Sequence, residues 1–383
     1  MSYLRKVAKN FKWKHTIVYL LLAAVLLLTA TLWSVGVMKR STATMLNQIG
    51  YSIILAVSLN IVVGFLGELS LGHAGFMCIG AYLGTFLYNH LIVIVPSKLF
   101  CLIICMAFGG LAAALGGMLV GLPAMRLKGD YLAIVTLAFN EIIGNLFKNI
   151  PLFGGGTGLP NQAPYGYHLF IVTFVTVIFM LFVLQNLIRS KHGRAITAIR
   201  DNEIAARAMG INVTYYKLFA FTIAAFFAGI AGVLYGAAVS PVKYTNFTFN
   251  YSIEILVMVV LGGIGSINGS IIAAAFITYL NLTLTNQLSG DLAALKNLVY
   301  ALILILVVIF HNAPALQKYR DRFSLTRLSR KLFAKKSADI TDDSASWDRI
   351  PTKIPMDELL SVDLKSQNEN PDSTIPGDRS DHE

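Results

Sequence analysis

Apolar stretches of bilayer-crossing length recur along this chain and leave it few ways to fold. About ten can be counted, at approximately 16–38, 43–66, 70–90, 98–121, 129–150, 167–188, 215–238, 251–267, 269–287 and 292–311. Each is near the roughly 20 apolar residues that one helical crossing of a bilayer requires. Lipid offers no partner to a backbone N–H or C=O, so a spanning segment is either helical or part of a closed barrel. A barrel needs short alternating strands, and these runs do not alternate. With 56% hydrophobic and only 13% charged residues, the chain reads as an all-α, polytopic membrane protein.

The net charge of +11 is the sum of two unlike regions. Residues 337–383 carry 12 acids and 4 bases, whereas residues 1–336 carry 27 bases and 8 acids. The acidic, Pro- and Ser-containing tail has the composition of a disordered segment. The body's excess of Lys and Arg is a topology signal and not a nucleic-acid footprint. With the N-terminus placed in the cytosol, 21 of the 27 body bases fall on that side, at 1–15, 126–128, 189–217 and 318–336. That bias puts both termini in the cytosol. The expected organisation is a basic N-terminus (1–15), a transmembrane domain (16–311) with a cytosolic loop at 189–214, a basic juxtamembrane segment (312–336) lying along lipid headgroups, and the acidic tail. The first apolar run continues to about Val37, too long for a signal peptide's apolar core, so it reads as an uncleaved helix.

Glycine breaks this helical pattern at residues 64–75, GFLGELSLGHAG, and at 262–269, GGIGSING. Broken backbone at membrane depth is tolerated where it is buried in protein or lines a cavity, and in transporters such half-helix ends can face a polar solute. Close helix packing is the alternative, and it is the better reading for Gly80/Gly84, Gly117/Gly121 and Gly232/Gly236. For the two longer breaks both readings stay open.

Ionisable groups within membrane segments are costly and therefore functional candidates. They are Glu68 and His73 at the first break, Glu141 beside Asn140, and Glu254. Asp130 reads as a helix cap. Ser70, Gly72, Gly262 and Gly263 join the candidates for a translocation path because they belong to the breaks. For Glu141 a polar helix contact competes with a solute contact, and for Glu254 interfacial capping does. Cys78, Cys101 and Cys105 all lie within apolar helices, without neighbours to complete a metal site. The sequence has no G-x-S-x-G, no H-E-x-x-H and no second His placed to pair with His73, so an enzyme is disfavoured. It also lacks G-x-x-x-x-G-K-[ST], so ATP, if used, must be bound by another subunit.

The loop at 189–214 exceeds what a spacer needs. Asp201 or Asn202 can cap a helix, with Glu203 in its first turn and Arg207 at i+4. Ile204, Ala205, Ala208 and Met209 form an apolar face, and Gly210 supplies a stop. Such a helix suits another protein's groove; lying on lipid is the alternative.

Residues 193–221, GRAITAIRDNEIAARAMGINVTYYKLFAF, resemble the cytosolic loop of LivM-type permeases of branched-chain amino acid ABC importers. GELSLGHAGF (67–76), LKGDYLAIVTLAF (127–139), GGGTGL (154–159) and MVVLGGIGSI (258–267) are similar to the same family in the same order. The similarity covers about residues 43–311 and leaves out the acidic tail. It implies a bacterial plasma-membrane permease, not itself an enzyme and without a cofactor of its own. Its implied partners are a homologous LivH-like permease, two ATPase subunits that bind ATP and an extracytoplasmic solute-binding protein. Carried onto this chain, Arg200, Asp201, Asn202, Glu203, Ala205, Ala206, Arg207 and Gly210 would couple it to the ATPase, and the breaks with Glu141 would line the path. The implied solute is a branched-chain amino acid. Urea, amides or other amino acids are the alternatives, and an ion-coupled secondary transporter is a more distant one.

Overall fold

The computed structural model describes residues 39–95, 97–124, 130–162, 165, 166, 168–287, 301, 302 and 305. Its long helices are α1 (Arg40–Asn60), α2 (His73–Ile94), α3 (Lys98–Ala124), α4 (Asp130–Asn149), α5 (Leu169–Arg189), α8 (Val213–Ala238), α9 (Phe249–Gly262) and α10 (Ile267–Gln287). Two short helices, α6 (Lys191–Asp201) and α7 (Glu203–Ala208), occupy the basic loop. No strand occurs among the described residues; one isolated bridge pairs Leu159 with Val242.

Seven described segments are long and apolar enough to cross a membrane. The count differs from the expected ten or so for identifiable reasons. The stretch at 16–38 lies outside the described residues, as does nearly all of 292–311. The helix at 130–149 has the length of a crossing, but Asn140, Glu141, Asn145, Lys148 and Asn149 dilute its apolar character. The N-terminus 1–15 and the segments 312–336 and 337–383 also lie outside the described residues.

α1 is the central helix, with 89% of its most apolar window buried. It packs against α5, α8, α9 and α10. Past Asn60 it continues as a π-helical turn, Ile61–Leu66, and stops at Gly67 in the left-handed region (φ 80°). Single π turns inside helices often mark functional sites. On one side of it, α2, α3 and α8 form a tight trio built on small residues. A Cβ on Gly80 would lie 2.1 Å from the Gly229 carbonyl oxygen, and one on Gly232 would lie 2.0 Å from that of Met77. Backbones this close exclude every larger residue. Without a hydrophobic force between helices in lipid, such contact supplies the dispersion that holds them.

α9 has 14 residues and spans about 21 Å, short of the roughly 30 Å hydrocarbon core. The chain before it includes a 3₁₀ turn, Tyr244–Asn246. That approach is anchored where Leu159 N–H donates to Val242 O (2.9 Å) and Val242 N–H donates back (2.8 Å). α9 is therefore a half-helix with an irregular lead-in, the kind of non-helical backbone tolerated only inside protein.

Candidate functional site

The two glycine breaks, far apart in sequence, meet in space. A Cβ on Gly64 would lie 2.3 Å from the Gly265 nitrogen, so that position admits only glycine. Beside it, the fully buried Asn60 binds both elements of the second break. Its Oδ1 accepts from Gly265 N–H (2.9 Å), and its Nδ2 donates to Ser270 Oγ (2.9 Å). The second break turns through Gly263 (φ 92°) and Gly265 (φ 80°), with Gly262 pressed against Gly269. Asn60 thus satisfies backbone groups that the broken helix leaves open, and its packed amide fixes the register of one break against the other.

The start of α2 is capped from outside its own segment. Its N-cap residue, Gly72, has no side chain to offer, and a Cβ there would lie 2.5 Å from Thr136 O. Ser252 of α9 instead accepts from Ala74 N–H in the first turn (3.0 Å), and Thr136 of α4 accepts from Leu71 N–H just before the cap (3.0 Å). The first four N–H groups of a helix need such partners. His73 is buried, with Nε2 2.8 Å from Ser58 Oγ of α1. Ser70 Oγ is buried without a hydrogen-bond partner. Gly75 packs on Asn140, whose Nδ2 donates to Phe247 O (3.2 Å) and whose Oδ1 is buried and unpartnered.

The loop after α5 folds as two capped helices. Ser190 Oγ accepts from His192 and Gly193 N–H at the start of α6. Asn202, extended at φ −159°, ends α6 and caps α7 by accepting from Ala205 N–H (3.0 Å). Of the two residues expected as caps, Asn202 takes the role, and Asp201 pairs with Arg200 (2.9 Å). α7 closes with Ile211 N–H on Ala206 O and Gly210 N–H on Arg207 O, with Gly210 at φ 80°. That paired 6→1 and 5→2 pattern is a Schellman stop. Ile204 (81% exposed), Met209 (82%), Ala205 and Ala208 face away from the body. Ala206 points the other way and is buried.

What joins this loop to the first break is a set of contacts invisible in the sequence pattern. Arg200 Nη1 donates to Gly64 O (3.0 Å), and its stem covers Gly67. Lys217, buried near the start of α8, forms ion pairs with Glu68 of the first break and with Glu203 of α7 (3.2 Å). Glu203 also pairs with Arg207 (3.0 Å). Burial pushes the Glu68 carboxyl above its ordinary pKa, and Lys217 opposes that shift. Lys217 was not among the sequence candidates. The signal that could have found it is a lone cation five residues into a membrane-length helix, where a charge must be paired.

The remaining candidates lie elsewhere. Glu254 of α9 accepts from Asn281 Nδ2 of α10 (2.9 Å), so it holds two helices together. Glu141 is exposed on the outer face of α4. Asn145 Nδ2 donates to Glu141 O and Asn149 Nδ2 to Asn145 O (2.9 Å each), which sets the three residues on one helical stripe. The outer face of α3, by contrast, is apolar, with Phe108, Leu111, Leu115, Met118, Leu119 and Leu122 exposed. The three cysteines are buried and free. Among the described residues, no group of three His, Cys, Asp or Glu side chains is placed to hold a metal ion.

Residues 41–308 match the family described as branched-chain amino acid transport system / permease component. The chain is 35% identical to the high-affinity branched-chain amino acid transport permease LivM of Salmonella typhimurium over 334 residues, covering 78% of this chain and 75% of that protein. It is 35% identical to LivM of Escherichia coli K12, with the same coverage. A ribose import permease of Escherichia coli K12, RbsC, is 30% identical over 43% of this chain and 51% of its own length. No solved structure matches.

Proposed function

The chain belongs to the branched-chain amino acid transport permease family, and from that membership we propose that it forms half of the translocation path of an ATP-driven importer in a bacterial plasma membrane. Its partners are a homologous permease, two ATPase subunits and an extracytoplasmic binding protein. The solute is a branched-chain amino acid, as the names of the relatives matched over most of their length suggest. The partial likeness to a ribose permease supports reading the scaffold as common to several solutes, with much of the selectivity residing in the binding protein.

One observation carries the coupling role. α7 presents Ile204, Ala205, Ala208 and Met209 outward, while its inner side is tied to the first break through Glu203, Lys217 and Glu68, and Arg200 of α6 binds the same break at Gly64. An exposed apolar face on a short, doubly capped helix fits a groove on another subunit. Movement of that groove would shift α7, and the ion pairs would pass the shift to Gly64 and Glu68. A buried, paired charge resists stretching, because separating it from its partner is costly. The translocation path is placed on the stripe of Glu141, Asn145 and Asn149, which needs either water or a polar partner at membrane depth. A zwitterionic solute passing there would find a carboxylate for its ammonium group and carboxamides for its carboxylate.

The test is uptake and ATPase binding by the assembled importer carrying Ile204→Asp with Met209→Asp. The expected result is loss of ATPase association with normal insertion and unfolding temperature. Unaltered uptake and association would overturn the coupling role. Solute movement by this chain reconstituted alone, on an ion gradient and without ATP, would overturn the importer reading altogether.

A further inference from the structure

Beside the second break, and away from the polar stripe of α4, a cavity of about 370 Å³ opens between the end of α5 and the start of α10, with Gly265 and Ser266 in its lining. Its walls include Phe65, Ile188 and Ile267, and its polar lining includes Gln185, Arg189 and Asn268. Gln185 is 94% buried, from its 6% exposure, and its Nε2 has no hydrogen-bond partner. Asn268 Oδ1, also buried, lacks one too. A buried amide left unpaired is costly, so such groups point to a missing partner.

The cavity is also electropositive. Among the described residues of its lining, Arg189 is the cation and none is an acid. The first turn of the 21-residue α10 borders it: Ser266 accepts from Gly269 N–H and from Ser270 N–H, while Ile267 and Asn268 stand at the open end. A helix start favours an anion there. Both helices are membrane spans and the cavity lies at their ends, so it sits at the depth of lipid headgroups.

We infer that this cavity binds the phosphodiester headgroup of an anionic phospholipid. The phosphate takes Arg189, Gln185 Nε2 and the α10 start, and a hydroxyl of the headgroup donates to Asn268 Oδ1. A glycerol headgroup fits better than an amine, since an ammonium group would bring positive charge to a site that already holds Arg189 and a helix N-terminus. Phe65, Ile188 and Ile267 receive the first carbons of the lipid. The inference rests on the chain's being a membrane permease but not on which solute it carries.

The experiment uses the purified, delipidated importer in detergent. Phosphatidylglycerol, phosphatidylcholine and inorganic phosphate are added separately at equal concentration, and retained lipid is read by native mass spectrometry alongside the unfolding temperature. Phosphatidylglycerol is expected to raise the unfolding temperature saturably and to remain bound, while the other two do neither. Gln185→Leu and the isosteric Gln185→Glu are each expected to weaken its binding at least tenfold, about the worth of one charge-assisted hydrogen bond. Equal stabilisation by phosphatidylcholine would show a non-specific lipid contact and overturn the inference. Equal stabilisation by inorganic phosphate would assign the site to a soluble anion and overturn the lipid. Unchanged binding in both Gln185 variants would remove the cavity from consideration. Uptake is not the readout, so an error in the transport assignment leaves this result standing.

Discussion

Replacing Lys217 with methionine isolates the contact between α7 and the first break. Lys217 is 8% exposed in its side chain, Glu68 14% and Glu203 26%. Methionine keeps the length and the packing of the stem while removing the charge. Glu203 retains Arg207 at 3.0 Å and a path to water, so its loss is small. Glu68 loses its ion-pair partner inside protein, and an uncompensated buried charge of this kind costs about 3–5 kcal/mol. Glu68→Gln alone removes a charge from the same place but leaves Lys217 paired to Glu203, so it should cost less. The double variant Lys217→Met/Glu68→Gln leaves no stranded carboxylate in the break and should be more stable than Lys217→Met alone. Unfolding temperatures of the four proteins in nanodiscs close the cycle. Uptake per ATP hydrolysed, measured on the same proteins in the assembled importer, separates transmission from folding. The double variant should keep its fold and lose uptake per ATP, since the tie between α7 and the break is gone. Simple additivity of the two substitutions, or a double variant with the wild-type ratio of uptake to hydrolysis, would refute the reasoning.

Other outcomes follow from the same geometry. Gly64→Ala would bring a Cβ to 2.3 Å from Gly265 N and should lower the unfolding temperature clearly, while Gly144→Ala, which meets nothing within 4 Å, should leave it unchanged or raised. Glu141→Gln should insert and fold as before, because its side chain is exposed, but reduce uptake; full activity would remove it from the path. Asn202→Ala removes the α7 cap and should cost about 1 kcal/mol, read as faster hydrogen exchange in residues 203–208, with no change in α6 expected.

Much of the molecule was legible from sequence because lipid imposes it. Apolar runs of crossing length must be helices, since any other open backbone would leave its polar groups unsatisfied. The cap and stop of α7 were legible too, as local chemistry: Asn202, Glu203, Arg207 and Gly210 act on neighbours within four residues, whereas the Ser190 cap of α6 was not foreseen. Both breaks could be seen as glycine clusters, and both were recognisable as interruptions of helices.

What the sequence could not carry was partnership at long range. Nothing local says that Gly64 abuts Gly265, that Asn60 touches both, or that Ser252 caps a helix whose own cap residue is a glycine while Thr136 holds the residue before it. Lys217 reads as one more cation near a helix start until the fold sets it between two carboxylates. Three acids named as candidates for the path were given their partners only by packing: Glu68 in an ion-pair chain, Glu254 against Asn281, and Glu141 on the outer face of α4. Period and length decide that a helix forms and which residues share a face. Which face meets which neighbour depends on close contact between distant segments, where a single glycine permits an approach that any side chain would block.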